Sequence, residues 1–325
     1  MMMMGHQRST NFYSKYVIDA KLGEGSFGCV YKAFDKYSGE VVAIKVLKYK
    51  GDAENMREAK ILCVMKGHPN IVQLKNVIEE EGVLGGLVFE YMDSSLLKLI
   101  QDVKHSRIVF PEVVVRDCCF QILKGLDYMH KRGYFHRDLK PENLLVSKEG
   151  IIKIADLGSA TKFIPDAPNT EYITTLWYRA PEVLLQSSYG TAIDMWAMGA
   201  IMAELFLLEA LFPGDRATDQ LYKICSMIGS PDDLSWLGAD AELYDFPKFQ
   251  GIQFSMLMRH VSEDAFDLMT QLLQWNPSKR PTTAEALRHP FFKPCYEVQT
   301  SSQCAPPMAF GSTRAGIHAH HQLLL

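Results

Sequence analysis

Two carboxylates, an amide and a lysine stand close together in the middle of this 325-residue chain. The octet His136-Arg137-Asp138-Leu139-Lys140-Pro141-Glu142-Asn143 is followed, thirteen positions on, by Asp156 in Asp156-Leu157-Gly158. A carboxylate such as Asp138 can orient a hydroxyl and accept its proton. The amide oxygen of Asn143 and the carboxylate of Asp156 are hard oxygen donors, suited to holding Mg2+ against the phosphates of ATP. Lys140 offers positive charge where a transferred phosphoryl group gathers negative charge. The set suits phosphoryl transfer.

Such residues need elements to hold them. The apolar run Ile151-Ile152-Lys153-Ile154-Ala155 reads as a strand that delivers Asp156. Upstream, Val114, Cys118, Ile122 and Leu126 recur at helical spacing, from Pro111 at the first turn to Gly133 at the stop. That helix leads the chain to the octet. Nearer the start, strands are expected over Val17–Gly23, Cys29–Phe34 and Val41–Val46, then a helix over Ala53–Met65 and strands over Ile71–Val77 and Leu87–Glu90. Between the first two strands lies Leu22-Gly23-Glu24-Gly25-Ser26-Phe27-Gly28-Cys29-Val30. Its glycines let the backbone approach a triphosphate and aim N–H groups at it. A dinucleotide-binding turn uses similar glycines but needs strand, turn, helix; here strand, turn and strand follow.

Together these stretches resemble the eukaryotic protein kinases over about residues 16–293. The octet matches their catalytic loop, Val42-Ala43-Ile44-Lys45 their third strand, and Ala180-Pro181-Glu182 the end of their activation segment. Asp-Leu-Lys-Pro-Glu-Asn is the serine/threonine form of the loop. The resemblance implies an α+β, two-lobed protein kinase fold, with a β-rich N-lobe over 16–92 and a helical C-lobe over 93–293. It implies Asp138 as catalytic base with Lys140 beside it, and Lys45 on the ATP phosphates, paired with Glu58 of Arg57-Glu58-Ala59-Lys60-Ile61-Leu62. It further implies an ATP site formed by Leu22, Gly23, Glu24, Gly25, Ser26, Phe27, Gly28, Val30, Ala43, Lys45, Phe89, Glu90 and Met92. Phe89 guards its back, and the backbones of Glu90 and Met92 meet adenine. Asn143 and Asp156 hold Mg2+. Asp194 bonds the backbone of the catalytic loop, Glu182 pairs with Arg280, and Thr175 bonds Asp138 and Lys140.

Thr170-Glu171-Tyr172 precedes Ala180-Pro181-Glu182 and resembles the dual-phosphorylation lip of mitogen-activated kinases and of the RCK (male-germ-cell-associated and intestinal-cell kinase-like) family in the CMGC group. Phosphates at Thr170 and Tyr172 would meet Arg57, Arg137 and Arg179. Arg179 also shapes the site for a proline after the phosphoacceptor. Leu272 to Thr282 and His289-Pro290-Phe291-Phe292 resemble the end of RCK domains, and the segment from Ser230 to His260 resembles the group's insert. Three positions depart from relatives: Leu157 replaces the usual phenylalanine, Thr161 stands where a third arginine is usual, with Lys162 as a partial substitute, and Leu176 replaces the arginine of mitogen-activated kinases.

Bulk properties agree with a folded enzyme. Hydrophobic residues make up 47%, enough for a substantial core, and the net charge of −4 gives no basic signal for nucleic acid. Seven cysteines are scattered rather than framed, as in reduced intracellular proteins. The apolar run Ala192–Phe212 carries Asp194, Glu204 and Glu209, which argues for a buried helix over a membrane span. Ser262 and Thr282 read as helix caps, Thr282 with Glu285 as a capping box. Residues 1–15 read as a disordered leader and 294–325 as a flexible tail. Three histidines in that tail, His318, His320 and His321, read as solvated.

The expected protein is a monomeric serine/threonine kinase using ATP and Mg2+, acting on Ser/Thr-Pro sites of protein substrates and activated by an upstream kinase at its lip. By family analogy it is cytoplasmic, with the nucleus and the cilium or flagellum as further sites. Two alternatives stay open: a mitogen-activated kinase proper, and a pseudokinase scaffold that keeps the fold without catalysing.

Overall fold

Strand alternation builds the small lobe. A computed structural model describes residues 15–300, apart from 26–27, 52, 81, 164–174, 245, 253 and 259–260. β1 (Tyr16–Gly25), β2 (Gly28–Asp35) and β3 (Val41–Leu47) form an antiparallel meander. α1 (Ala53–Val64) follows, then β4 (Leu74–Glu80) and β5 (Val83–Glu90) complete a five-stranded sheet in the order β1-β2-β3-β5-β4. Side chains alternate along each strand. Val42, Ile44 and Val88 therefore join Tyr16, Ala33 and Ile78 in a small core on one face. Ala43, Lys45, Leu87 and Phe89 share the opposite face, with Ala43 level with Phe89 and Lys45 level with Leu87. Cross-strand register thus delivers Lys45 to the cleft between the lobes.

The expected strand over Ile71–Val77 begins three residues later. Ile71 and Val72 are too apolar for an edge and are buried against the large lobe instead. Residues 91–93 then carry the chain across. Short β6 (Ser94–Ser95) leads to α2 (Leu96–His105), whose first turn is capped by the Ser95 hydroxyl accepting from the Lys98 amide. α3 (Glu112–Lys131) begins after Pro111 and buries Val115, Cys118, Ile122, Leu126 and Met129 along one stripe. Gly133 reverses the chain at φ 77°.

Next come β7 (Tyr134–Phe135), β8 (Leu144–Val146), β9 (Ile152–Ile154) and β10 (Thr161–Lys162). β8 lies between β6 and β9, while β10 pairs with β7. After the one-turn α4 (Pro181–Leu184), α5 (Ala192–Leu207) is buried on nearly every side, Trp196 stacking on Phe212 at 5.6 Å. It is a core helix, and no described helix is long and apolar enough to cross a membrane. α6 (Ala217–Ile228), α7 (Phe254–Leu257), α8 (Glu263–Leu272) and α9 (Thr283–Leu287) complete the large lobe. Ser262 caps α8, and Thr282 with Glu285 forms the capping box of α9. The mixed α+β architecture is the expected one.

Past residue 293, where a flexible tail is expected, the chain is helical as far as Thr300. α10 (Lys293–Thr300) continues past residue 293 because its aromatic residue has a seat. Tyr296 meets Phe120 edge-on at 5.2 Å, and its hydroxyl donates to the Leu287 carbonyl over 3.0 Å. The leader expected over 1–15 and the tail beyond 300 lie outside the described residues, Lys15 excepted.

Candidate active site

The turn from β7 to β8 gathers the octet. Asp194, in the first turn of α5, accepts from the His136 amide over 2.8 Å and the Arg137 amide over 3.0 Å. His130 of α3 reaches the same carboxylate at 2.8 Å. Burial pushes the Asp194 carboxyl up, but the His130 hydrogen bond and the His136 amide outweigh it and hold the carboxyl below its ordinary value. The loop is therefore anchored from beneath by an ionised, buried acid. His136 locks it from within, its Nε2 at 2.9 Å from the Ala155 carbonyl and its Nδ1 accepting from the Asp138 amide at 3.2 Å. Arg137 takes a left-handed backbone at φ 71°.

Above this anchor the polar groups converge. Lys140 Nζ donates to Asp138 Oδ2 over 2.8 Å. Asn143 Nδ2 donates to the Asp138 carbonyl at 2.8 Å and to its Oδ2 at 3.2 Å. That turns the Asn143 amide oxygen away from Asp138, toward the side where a cation could sit. The Ala155 amide donates to the Asn143 carbonyl at 2.8 Å, tying the loop to the segment that carries Asp156. Asp156 sits in the left-handed region, φ 56° and ψ 63°, with its side chain 41% exposed toward the cleft.

Across the cleft, Lys45 Nζ lies 2.8 Å from Glu58 Oε2 and 3.7 Å from Asp156 Oδ1. Burial works against the ammonium, yet the flanking carboxylates of Glu58 and Asp156 prevail and raise its pKa. Lys45 is charged. Leu157 is fully buried, packed beneath α1, the helix that carries Glu58. A Cβ on Gly158 would sit in ordinary contact with Asp156 Oδ1 and Glu58 Oε2, at 3.6 Å and 3.8 Å.

One glycine of the β1–β2 turn has a demonstrable reason. A Cβ on Gly28, at φ 151°, would fall 2.0 Å from the Val46 carbonyl. Gly23 and Gly25 have nothing within 4 Å and lie open above the cleft, beside exposed Leu22 and Glu24. Val30 lies level with Lys45 on the neighbouring strand. Phe89 is half-buried against the main core, and Glu90 and buried Met92 flank Tyr91 where the chain leaves β5. Ser26, Phe27, Thr170 and Tyr172 lie outside the described residues.

The three arginines expected to meet the lip phosphates have partners among the described residues. Arg57 donates to the Gly158 carbonyl at 3.2 Å and Arg137 to the Ser159 carbonyl at 2.6 Å, so both reach the stretch directly after Asp156. Arg179 lies beside Asp138 and Tyr189; its burial lowers its pKa despite them. Lys162 follows Thr161 on β10. Alternation sends the two side chains of β10 to opposite sides, and the Lys162 stem lies along Gly133. Among the described residues Thr175 makes no hydrogen bond to Asp138 or Lys140; Asp138 Oδ2 meets Lys140 and Asn143.

The substrate side is fixed by contacts the sequence did not disclose. Trp177 Nε1 donates to the Gly214 carbonyl at 3.1 Å, and buried Gln220 bonds both the Gly214 amide and the Trp177 carbonyl. Tyr178 donates to buried Glu204 over 2.6 Å. Burial lifts the Glu204 carboxyl to about 7; Glu142 nearby pushes the same way, while the Tyr178 hydroxyl pulls it down. Beneath them Glu182 and Arg280 form the expected pair, twofold, at 2.6 and 2.7 Å. Lys153, unassigned by the sequence, pairs with Glu90 at 2.8 Å. Its only signal was a lone charge in the apolar run 151–155.

The donor set fits one metal in particular. Among the described residues no cluster of three His, Cys, Asp or Glu side chains could cage an ion. One carboxylate and one amide suit Mg2+, which keeps waters and takes its remaining ligands from phosphates.

Comparison with known proteins agrees with this geometry. The profile of the family "Protein kinase domain" matches residues 16–292. The protein named Cyclin-dependent kinase F-4 of Oryza sativa subsp. japonica is 51% identical over 285 residues, covering 85% of this chain and 61% of that one. Serine/threonine-protein kinase MAK of Homo sapiens is 43% identical over 289 residues, 86% of this chain and 46% of its own. Serine/threonine-protein kinase ICK of Rattus norvegicus is 42% identical over 299 residues, 89% and 47% respectively. The chain thus spans roughly half to three fifths of these relatives' length. With its sheet, its cleft and its loop residues all inside the matched stretch, the chain belongs to the protein kinase family, and MAK- and ICK-type kinases are among its relatives.

Proposed function

We propose that the chain is a serine/threonine protein kinase that transfers the γ-phosphoryl of ATP to Ser or Thr followed by Pro. The carrying observation is the cluster in which Lys140 and Asn143 both hold the one oxygen, Oδ2, of Asp138. Asp138 orients the substrate hydroxyl and takes its proton. Lys140 holds the carboxylate in place and meets the charge that builds on the moving phosphoryl group. Lys45, kept charged by Glu58, orients the α- and β-phosphates. Asn143 and Asp156 would hold Mg2+, which supplies charge neutralisation between phosphate oxygens.

The finer part of the reading concerns choice and control. Arg179 beside Asp138 supports preference for proline after the acceptor, and relatives named serine/threonine kinases support the acceptor class. Arg57 and Arg137, aimed together at residues 158–159, support a switch in which phosphates on Thr170 and Tyr172 order the lip.

A peptide library phosphorylated by wild type and by Asp138→Ala tests the whole reading. Wild type labels Ser-Pro and Thr-Pro peptides and loses them when proline becomes alanine; the variant labels none. Wild type that binds ATP yet labels nothing would be a scaffold. Phosphatase-treated protein should turn over more slowly than protein phosphorylated on the lip, and equal rates remove the switch.

A further inference from the structure

Glu90 is the last residue of β5, and its carboxylate holds three hydrogen-bond distances at once. Oε1 lies 2.8 Å from Lys153 Nζ and accepts from the Gln73 amide at 2.8 Å; Oε2 lies 3.0 Å from the same Nζ. Both side chains are mostly buried, 21% and 13% exposed. Lys153 is the middle residue of β9. Its neighbours Ile152 and Ile154 are fully buried, so alternation turns the lysine the other way, toward the segment that joins the lobes. The Glu90 amide also donates to the Gln73 carbonyl at 3.1 Å. One carboxylate therefore binds the crossing between the lobes, the residue just ahead of β4, and the strand position three residues ahead of Asp156.

We propose that Glu90 and Lys153 are positioning residues for the nucleotide, a clamp that fixes the spacing between the adenine end and the metal end of the cleft. The inference rests on the kinase reading above. Adenine recognition by the backbone at Glu90 and Met92 leaves no side chain to adjust, so whatever fixes that backbone fixes the base. Asp156, which would meet the opposite end of the same ligand, is carried by the strand the lysine stands on. A fixed span matters because a ligand held at two ends loses affinity when their separation drifts, by amounts large for small displacements. A solvated ion pair on the surface contributes little. This one is largely shielded, bidentate and shared with a backbone amide, which is the geometry of a positional constraint.

The test uses the purified chain with Mg2+ and the fluorescent nucleotide mant-ATP, alongside peptide kinetics and melting temperatures. Lys153→Met should raise the mant-ATP Kd and the KM for ATP by about five-fold, with the KM for peptide unchanged. Glu90→Gln should raise both by only about two-fold, since its amide oxygen still accepts from Gln73. Lys153→Arg should return them to within about two-fold of wild type. A wild-type nucleotide Kd in Lys153→Met, whatever its melting temperature, overturns the clamp; so does an equal rise in the peptide KM. Wild type that binds mant-ATP but transfers no phosphoryl group overturns the kinase reading while the Kd series still decides the clamp. Wild type that binds no nucleotide overturns both.

Discussion

Lys140 and Asp138 are joined Nζ to Oδ2 over 2.8 Å, two positions apart in sequence and on the same wall of the cleft. The ammonium holds the carboxylate in a fixed direction. Asp138→Ala should lower peptide phosphorylation by on the order of a thousand-fold or more, with ATP affinity within about three-fold of wild type. Steady-state kinetics beside nucleotide titration check it, and retained turnover would remove Asp138 from the chemistry.

Glu182 and Arg280 form a buried fork, 1% and 0% exposed, with the guanidinium also donating to three backbone carbonyls. Removing one partner strands the other charge. Arg280→Ala should destabilise the fold by about 3–5 kcal/mol in denaturant titration, and Glu182→Ala should do similarly. Replacing both by apolar residues of matched volume should recover much of that loss, because the pair's desolvation vanishes with it.

Glu204 gives stability a pH dependence. Its folded carboxyl titrates at about 7, against an ordinary 4.5. Between those values the unfolded chain has released the proton and the folded chain has kept it. Stability from this residue is therefore complete below pH 4.5 and is lost as pH rises to 7, in total roughly 3 kcal/mol. Glu204→Gln keeps an acceptor for Tyr178 and carries no proton to lose. Its melting temperature relative to wild type should climb from pH 5 to pH 8; a flat difference would refute the assignment.

Leu157 fills a fully buried site under α1. Leu157→Ala should cost about 2–5 kcal/mol. Because Asp156 and Gly158 flank it, activity in folded protein should also fall. Denaturation curves and specific activity measured together separate the two effects.

Contiguous residues were the legible ones. His136 to Asn143 identifies its own chemistry because one short loop carries base, lysine and amide together. Lys45 and Glu58 were readable through strand and helix motifs. Pairs made by folding were not: nothing in the chain marks Lys153 as the partner of Glu90, 63 positions away, or Tyr178 as the partner of Glu204. Glu204 looked like a mere interruption of an apolar run. Thr175 shows a different limit. Sequence places a residue near its site, but side-chain direction is settled by geometry. The helix at the start of the expected tail was likewise hidden, because Tyr296 finds Phe120, a contact between α10 and α3.

Residues 70–72 precede β4 in the small lobe, yet their hydrogen bonds run to β9. The Val72 amide donates to the Ile154 carbonyl and the Ile154 amide to the Asn70 carbonyl, each at 2.9 Å, and Asn70 Nδ2 reaches the Ile152 carbonyl. Buried amides of this kind open only with the unit that encloses them. In deuterium exchange, Val72 should keep time with Ile154 and the large lobe, while amides of β1 and β2 exchange earlier. Cooperative units would then divide this protein between Val72 and Leu74, well before the crossing at Tyr91 and Met92.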